Sequence, residues 1–142
     1  MEKEYEINSW NTDTKELLNL FKGKIITSIR GLHEGSEEVT IDFEDSTIFT
    51  QYHSQDCCES VEVSQVDGEI ERHIGATIID FKEKVVTNDM PEYIKVNEYE
   101  ESATATFYTL VTSKGYLDWR WQGESNGYYS ESVDMKIITK KD

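Results

Sequence analysis

Very little in this sequence is basic. Its 142 residues carry 14 Lys and Arg against 29 Asp and Glu, a formal net charge of −15. Residues 31–71 contain no Lys or Arg at all. Nucleic-acid phosphates and anionic membranes are held by Lys/Arg patches, so direct binding to either is not expected. Long apolar runs are also lacking: none approaches the about 18 residues a membrane helix needs. The opening Met-Glu-Lys-Glu resembles no signal or transit peptide. Proline occurs once, at Pro91, and cysteine twice, at the adjacent Cys57 and Cys58. Two neighbouring cysteines make no disulfide framework. A bridge between neighbours is strained and rare, so the pair is expected to stay reduced in a cytosolic compartment. There is no Gly-rich phosphate loop, no Gly-x-Ser-x-Gly and no His-Glu-x-x-His.

Large rings, by contrast, are plentiful. Three Trp, eight Tyr and five Phe are too many for a chain that never packs a core. A chain of this length fits one domain, expected over residues 12–139 after a loose polar segment at 1–11. Asp13 and Glu16 have capping-box spacing, Leu17, Leu18, Leu20 and Phe21 follow at helical spacing, and Gly23 ends the run, which predicts a helix over 13–22. Strand patterns fill the rest. Val39, Ile41 and Phe43 alternate with polar residues, and a turn at Glu44-Asp45-Ser46 leads into a second strand at 48–53. Further strands are predicted around Val61–Val66, 77–86, 103–111, 117–121 and 133–139, with one helical turn at 69–73. Leu117, Trp119 and Trp121 share one face and are expected in the core. Ser125-Asn126-Gly127 is the strongest hairpin signal, with Tyr128 or Tyr129 beside it as a contact anchor. The fold class predicted is α+β: an N-terminal helix packed on a mainly antiparallel, meander-like β-sheet.

Two clusters could carry chemistry. Residues 31–71 hold twelve acids, among them Asp42, Glu44, Glu59 and Glu62. Asp42 and Glu44, two apart on a strand face, would stand about 6.7 Å from each other, a spacing comparable with phosphates along a nucleic-acid strand. These four acids are candidates for contact with a basic partner; an ordinary solvated acidic face is the alternative. The second cluster is His53-Ser54-Gln55-Asp56-Cys57-Cys58-Glu59. Its imidazole, thiols and carboxylates are zinc-ligand types, which makes His53, Asp56, Cys57 and Cys58 candidate ligands of a zinc-stabilised module. A cysteine nucleophile with His53 as base would make a small thiol hydrolase, and a metal hydrolase is the other enzymatic alternative. Adjacent carboxylates disfavour the thiolate, however, and no catalytic residue is assigned. His33 and His73 stand alone and are expected at the surface.

The segment Tyr52-His53-x-Gln55-Asp56-Cys57-Cys58-Glu59-Ser60-Val61 resembles the signature of a family of small, uncharacterised phage and prophage proteins. Lys114-Gly115-Tyr116, Trp119-Arg120-Trp121 and the run from Gly123-Glu124-Ser125 to Ser130-Glu131 resemble it too, as do Gly31-Leu32 and Ile74-Gly75. The resemblance spans roughly residues 20–136. It implies a phage or prophage setting in a bacterial cytosol. By analogy with other small acidic phage proteins, it implies a non-enzymatic inhibitor of a host defence nuclease, foremost an RNA-guided CRISPR effector, acting on that partner's basic surface to block DNA loading.

Overall fold

Strand alternation dominates the chain once it folds. A computed structural model describes residues 3–8, 14–88, 94, 102–127 and 130–141. Nine strands are described: β1 (Lys3–Asn8), β2 (Ile26–Arg30), β3 (Glu38–Phe43), β4 (Ile48–Tyr52), β5 (Ser60–Asp67), β6 (Ile78–Thr87), β7 (Ser102–Thr112), β8 (Gly115–Ser125) and β9 (Asp134–Lys141). They form two antiparallel sheets, ordered β1-β9-β4-β3-β2 and β5-β8-β7-β6. The strand period places Val39, Ile41 and Phe43 of β3, and Leu117, Trp119 and Trp121 of β8, in one shared core.

The predicted α+β class is therefore corrected to an all-β, two-sheet fold. The described helical pieces are α1 (Thr14–Asn19) and a 3₁₀ turn at Ile70–His73. The helix expected over 13–22 and packed on a sheet shrinks to those six residues of α1, and Asp13 of the expected cap lies outside the described residues. The reason is length: four apolar residues over five positions supply little more than one turn, and Gly23, at φ +85, stops propagation. The segment still buries Leu17, Leu18 and Phe21. Phe21 meets Phe49 edge-on at 4.4 Å and Phe81 at 5.9 Å, and the aromatic chain continues from Phe81 to Trp119 at 5.5 Å.

Three further expectations change. Residues 3–8 are not a loose segment but strand β1, paired along β9 from Lys3↔Lys141 to Asn8↔Lys136. The signal at Ser125-Asn126-Gly127 does not close a hairpin, because β9 pairs with β4 and β1, while β8 lies between β5 and β7. Gly127 does take the left-handed conformation, at φ +89, but the chain leaves one sheet there and enters the other. Tyr128 and Tyr129 lie outside the described residues, as do Trp10 and Pro91. Finally, His73 is fully buried at the end of the 3₁₀ turn, with Nδ1 2.7 Å from the Thr112 hydroxyl, whereas His33 is exposed as expected.

A buried amide joins the two sheets. Gln51 of β4 shares the inward parity of Phe49 and is fully buried. Its Oε1 accepts from Trp119 Nε1 at 2.8 Å and from Trp121 Nε1 at 2.9 Å. One acceptor thus satisfies both indoles of β8.

Candidate functional site

The connection from β4 to β5, residues 53–59, crosses from one sheet to the other. It is also the segment where zinc-ligand residue types crowd together in the sequence. Glu59 organises it. Its carboxylate is buried and accepts the Asp56 N–H at 2.5 Å and the Cys57 N–H at 3.4 Å. Those donors hold Glu59 at a pKa of about 2; the Asp56 amide is the largest cause and outweighs burial, and His53 contributes further. His53 Nδ1 lies 2.7 Å from the Ser132 carbonyl and Nε2 lies 3.2 Å from Glu59 Oε1, so both ring nitrogens face acceptors. Gln55 Nε2 donates to the Glu59 carbonyl at 2.6 Å, and the Ser54 N–H donates to Asp134 Oδ2 at 2.9 Å. The start of the loop is tied through His53 and Ser54 to the segment entering β9.

At the tip of this loop Cys57 and Cys58 are exposed and joined to each other by a disulfide. The expectation of two free thiols is corrected. The candidate zinc ligands do not come together as a set. The sulfurs are bonded to each other, both His53 nitrogens already face protein acceptors, and Asp56 is exposed. Among the described residues no group of three His, Cys, Asp or Glu converges as a metal site. His53 turns to Glu59, and neither of its nitrogens is hydrogen-bonded to sulfur, so the nucleophile–base pair of a thiol hydrolase is not assembled.

The acidic stretch behaves differently. Of its twelve acids, all but Asp42 and Glu59 are exposed. Asp42 is held on its own sheet by the Ser28 hydroxyl and by a bidentate contact from Arg30, Nε at 3.0 Å and Nη2 at 3.1 Å. Burial pushes the Asp42 carboxyl up, but the Ser28 and Arg30 contacts outweigh it and leave it below its usual range. Glu44 lies in the turn after β3, exposed, so Asp42 and Glu44 do not form the expected free carboxylate row. Glu59, expected at a partner contact, is the buried anchor described above. Glu62 is exposed on β5, opposite the buried Val61 and Val63.

A feature of the fold gathers several of the remaining acids. The β2–β3 connection lies along β5: the Gly35 N–H donates to the Val63 carbonyl at 2.7 Å, and the Val63 N–H donates to the Ser36 carbonyl at 2.8 Å. The exposed Glu34, Glu37 and Glu38 are thereby brought toward Glu62. Gly31 makes the turn possible, because it sits at φ +76 and a Cβ there would stand 2.1 Å from the Glu38 carbonyl oxygen. Beside this loop an open cleft of about 650 Å³ is lined by Glu37, Glu38, Tyr52, His53 and Lys136, with Lys136 Nζ 5.4 Å above the Tyr52 ring.

Two carboxylates outside the sequence-predicted set line a second cleft, of about 410 Å³. Glu131, almost fully buried, accepts from the Thr104 hydroxyl at 2.9 Å and from the Ser125 hydroxyl. Glu83 accepts from the Tyr108 hydroxyl at 2.8 Å, and burial raises its pKa. Nothing local in the sequence marks either one among 29 acids. Gln51 is no more legible, because only Phe49 shares its parity on β4 while Ile48 and Tyr52 stand on the other.

None of the curated proteins and none of the solved structures compared with the chain matches it. Residues 19–135 match the model of a domain of unknown function, and the chain belongs to that family, DUF7448.

Proposed function

We propose that the protein is a non-enzymatic acidic binder that docks on a basic surface of a nucleic-acid-handling protein and keeps nucleic acid off it. The resemblance to phage and prophage proteins extends the proposal to a host defence nuclease in the bacterial cytosol, with an RNA-guided CRISPR effector as the first partner to test. The main support is the exposure of the acids in a stretch free of Lys and Arg, together with the backbone pairing that sets the β2–β3 loop beside β5. A cationic channel built for a heteroduplex and target DNA attracts such a surface over distance and orients it on approach. Glu37, Glu38, Glu44 and Glu62 are the contact residues of this proposal. Asp42 and Glu59 are engaged within the fold and serve as controls.

The test is binding of the full chain to a purified RNA-guided nuclease at low and high salt, read together with DNA loading. The parent protein should bind, should block DNA, and should lose affinity with salt. The triple variant Glu37→Lys, Glu38→Lys, Glu62→Lys should bind at least about tenfold more weakly and show a flatter salt dependence. Asp42→Asn should bind as the parent does. A parent protein that ignores a panel of basic nucleic-acid-binding proteins would sink the proposal, and so would affinity independent of salt.

A further inference from the structure

The chain has only two cysteines, and they are neighbours, so they cannot tie distant parts of the fold together. Cysteine is usually among the most buried residue types, yet both are exposed at the tip of the 53–59 loop. That loop is held by other atoms. Glu59 takes the Asp56 and Cys57 amides, Gln55 takes the Glu59 and Cys57 carbonyls, and Asp134 takes the Ser54 amide. Neither sulfur contributes to these hydrogen bonds, so the scaffold does not depend on whether the sulfurs are joined or free. A pair with no cross-linking role, displayed on a fixed loop, is placed for exchange with solution.

We propose that Cys57 and Cys58 form a reversible two-electron redox site that exchanges with small disulfides and favours cationic ones over anionic ones. In the oxidising direction, one cysteine thiolate attacks a disulfide RSSR, giving a mixed disulfide and releasing RS⁻, which takes up the proton lost from the thiol. The neighbouring thiolate then displaces the second RS⁻, which is protonated in turn, and the Cys57–Cys58 bond closes. Two electrons pass from the protein sulfurs to RSSR, and the two protons end on two RSH. The charge preference follows from Asp56 within the loop and the net charge of −15, which repel anionic reagents from the site. This site does not depend on the proposed binding function.

The experiment uses the full chain, first reduced and desalted, then treated with cystamine, a cationic disulfide, or with oxidised glutathione, an anionic one. Mass spectrometry after iodoacetamide reads the state of the two sulfurs. The expected product carries no alkyl group and is lighter than the reduced protein by two hydrogen atoms. Dithiothreitol should restore two alkylatable thiols, and Cys58→Ser should stop at a mixed disulfide on Cys57. Cystamine should react about tenfold faster than oxidised glutathione at low salt, with the gap narrowing as salt rises. Two thiols that stay free under excess cystamine would overturn the site, as would stable mixed disulfides at both positions. Equal rates for the two reagents at low salt would overturn the charge preference.

Discussion

Replacing Gln51 by leucine removes the acceptor on which both buried tryptophans of β8 depend. Trp119 and Trp121 are 3% and 1% exposed, and their indole N–H groups converge on Gln51 Oε1 at 2.8 and 2.9 Å. Leucine has a similar size and fits the apolar parity of β4, but it offers no acceptor. Each orphaned indole costs about 1–3 kcal/mol, so the pair costs about 2–6 kcal/mol. Burial of the leucine side chain returns about 1–2 kcal/mol. The midpoints of those two ranges leave a net loss of about 2.5 kcal/mol, a large share of the about 5–15 kcal/mol that holds a typical domain together. Guanidinium unfolding followed by tryptophan fluorescence should show a lower midpoint with an unchanged slope. The melting temperature should fall by about 5–10 °C, at about 2–4 °C per kcal/mol for a chain of this size. Adding Trp119→Phe removes one orphan, so that change should cost about 1–2 kcal/mol less in the Gln51→Leu background than in the parent. A Gln51→Leu protein within about 0.5 kcal/mol of the parent would refute the shared-acceptor link.

Three further outcomes are expected. Burial is the main cause that depresses the His73 pKa; a Tyr116 backbone contact opposes it, and the Arg72 and Lys114 charges add to it. The unfolded chain then binds the proton more readily, so the His73 contribution is fully present above its ordinary value of 6.5 and is lost as pH falls below it. Urea midpoints from pH 8 to pH 5, steeper in the parent than in His73→Gln, would check this. Glu59 is also depressed, from 4.5 to about 2, so its contribution is present above pH 4.5 and is lost as pH falls toward 2. Glu59→Gln should flatten acid unfolding in that window and speed hydrogen exchange at the Asp56 and Cys57 amides, measured by NMR. Gly123→Ala would set a Cβ 2.7 Å from Glu131 Cβ and 2.8 Å from its carbonyl oxygen, and should cost about 1–3 kcal/mol in thermal unfolding.

Much of the local structure is legible along the chain. The alternation at 39–43 gives β3, the Leu117, Trp119, Trp121 parity gives the inner face of β8, and β5 covers the strand predicted around Val61–Val66. Failures cluster where a short pattern had to be weighed against distant partners. Tyr5 and Ile7 are too few to announce β1, which exists because β9 offers it an edge. The apolar run after Asp13 has helical spacing but not helical length. His73 is isolated in sequence, and it is buried because the 3₁₀ turn folds it against Thr112. In the candidate site, the crowding of residue types at 53–59 is legible in the sequence, but the pairings within it are not: His53 meets Glu59, Glu59 the loop amides, and Cys57 its neighbour Cys58.

Composition and order alone settle the excess negative charge, the base-free stretch, the position of most strands and the inward face of β8. These are sums over residues or patterns within a few neighbours, so they need no tertiary information. Only the folded chain decides that β9 joins β4 rather than β8, that the β2–β3 loop runs beside β5, and which carboxylates stay exposed. Backbone hydrogen bonds are nearly the same for every residue, so a strand does not name its partner. The choice is made by which side chains can share one core, and that sharing buries Glu59 among the loop amides and leaves Asp42 on the outer face of β3 with Ser28 and Arg30, while Glu37 and Glu62 are left to solvent.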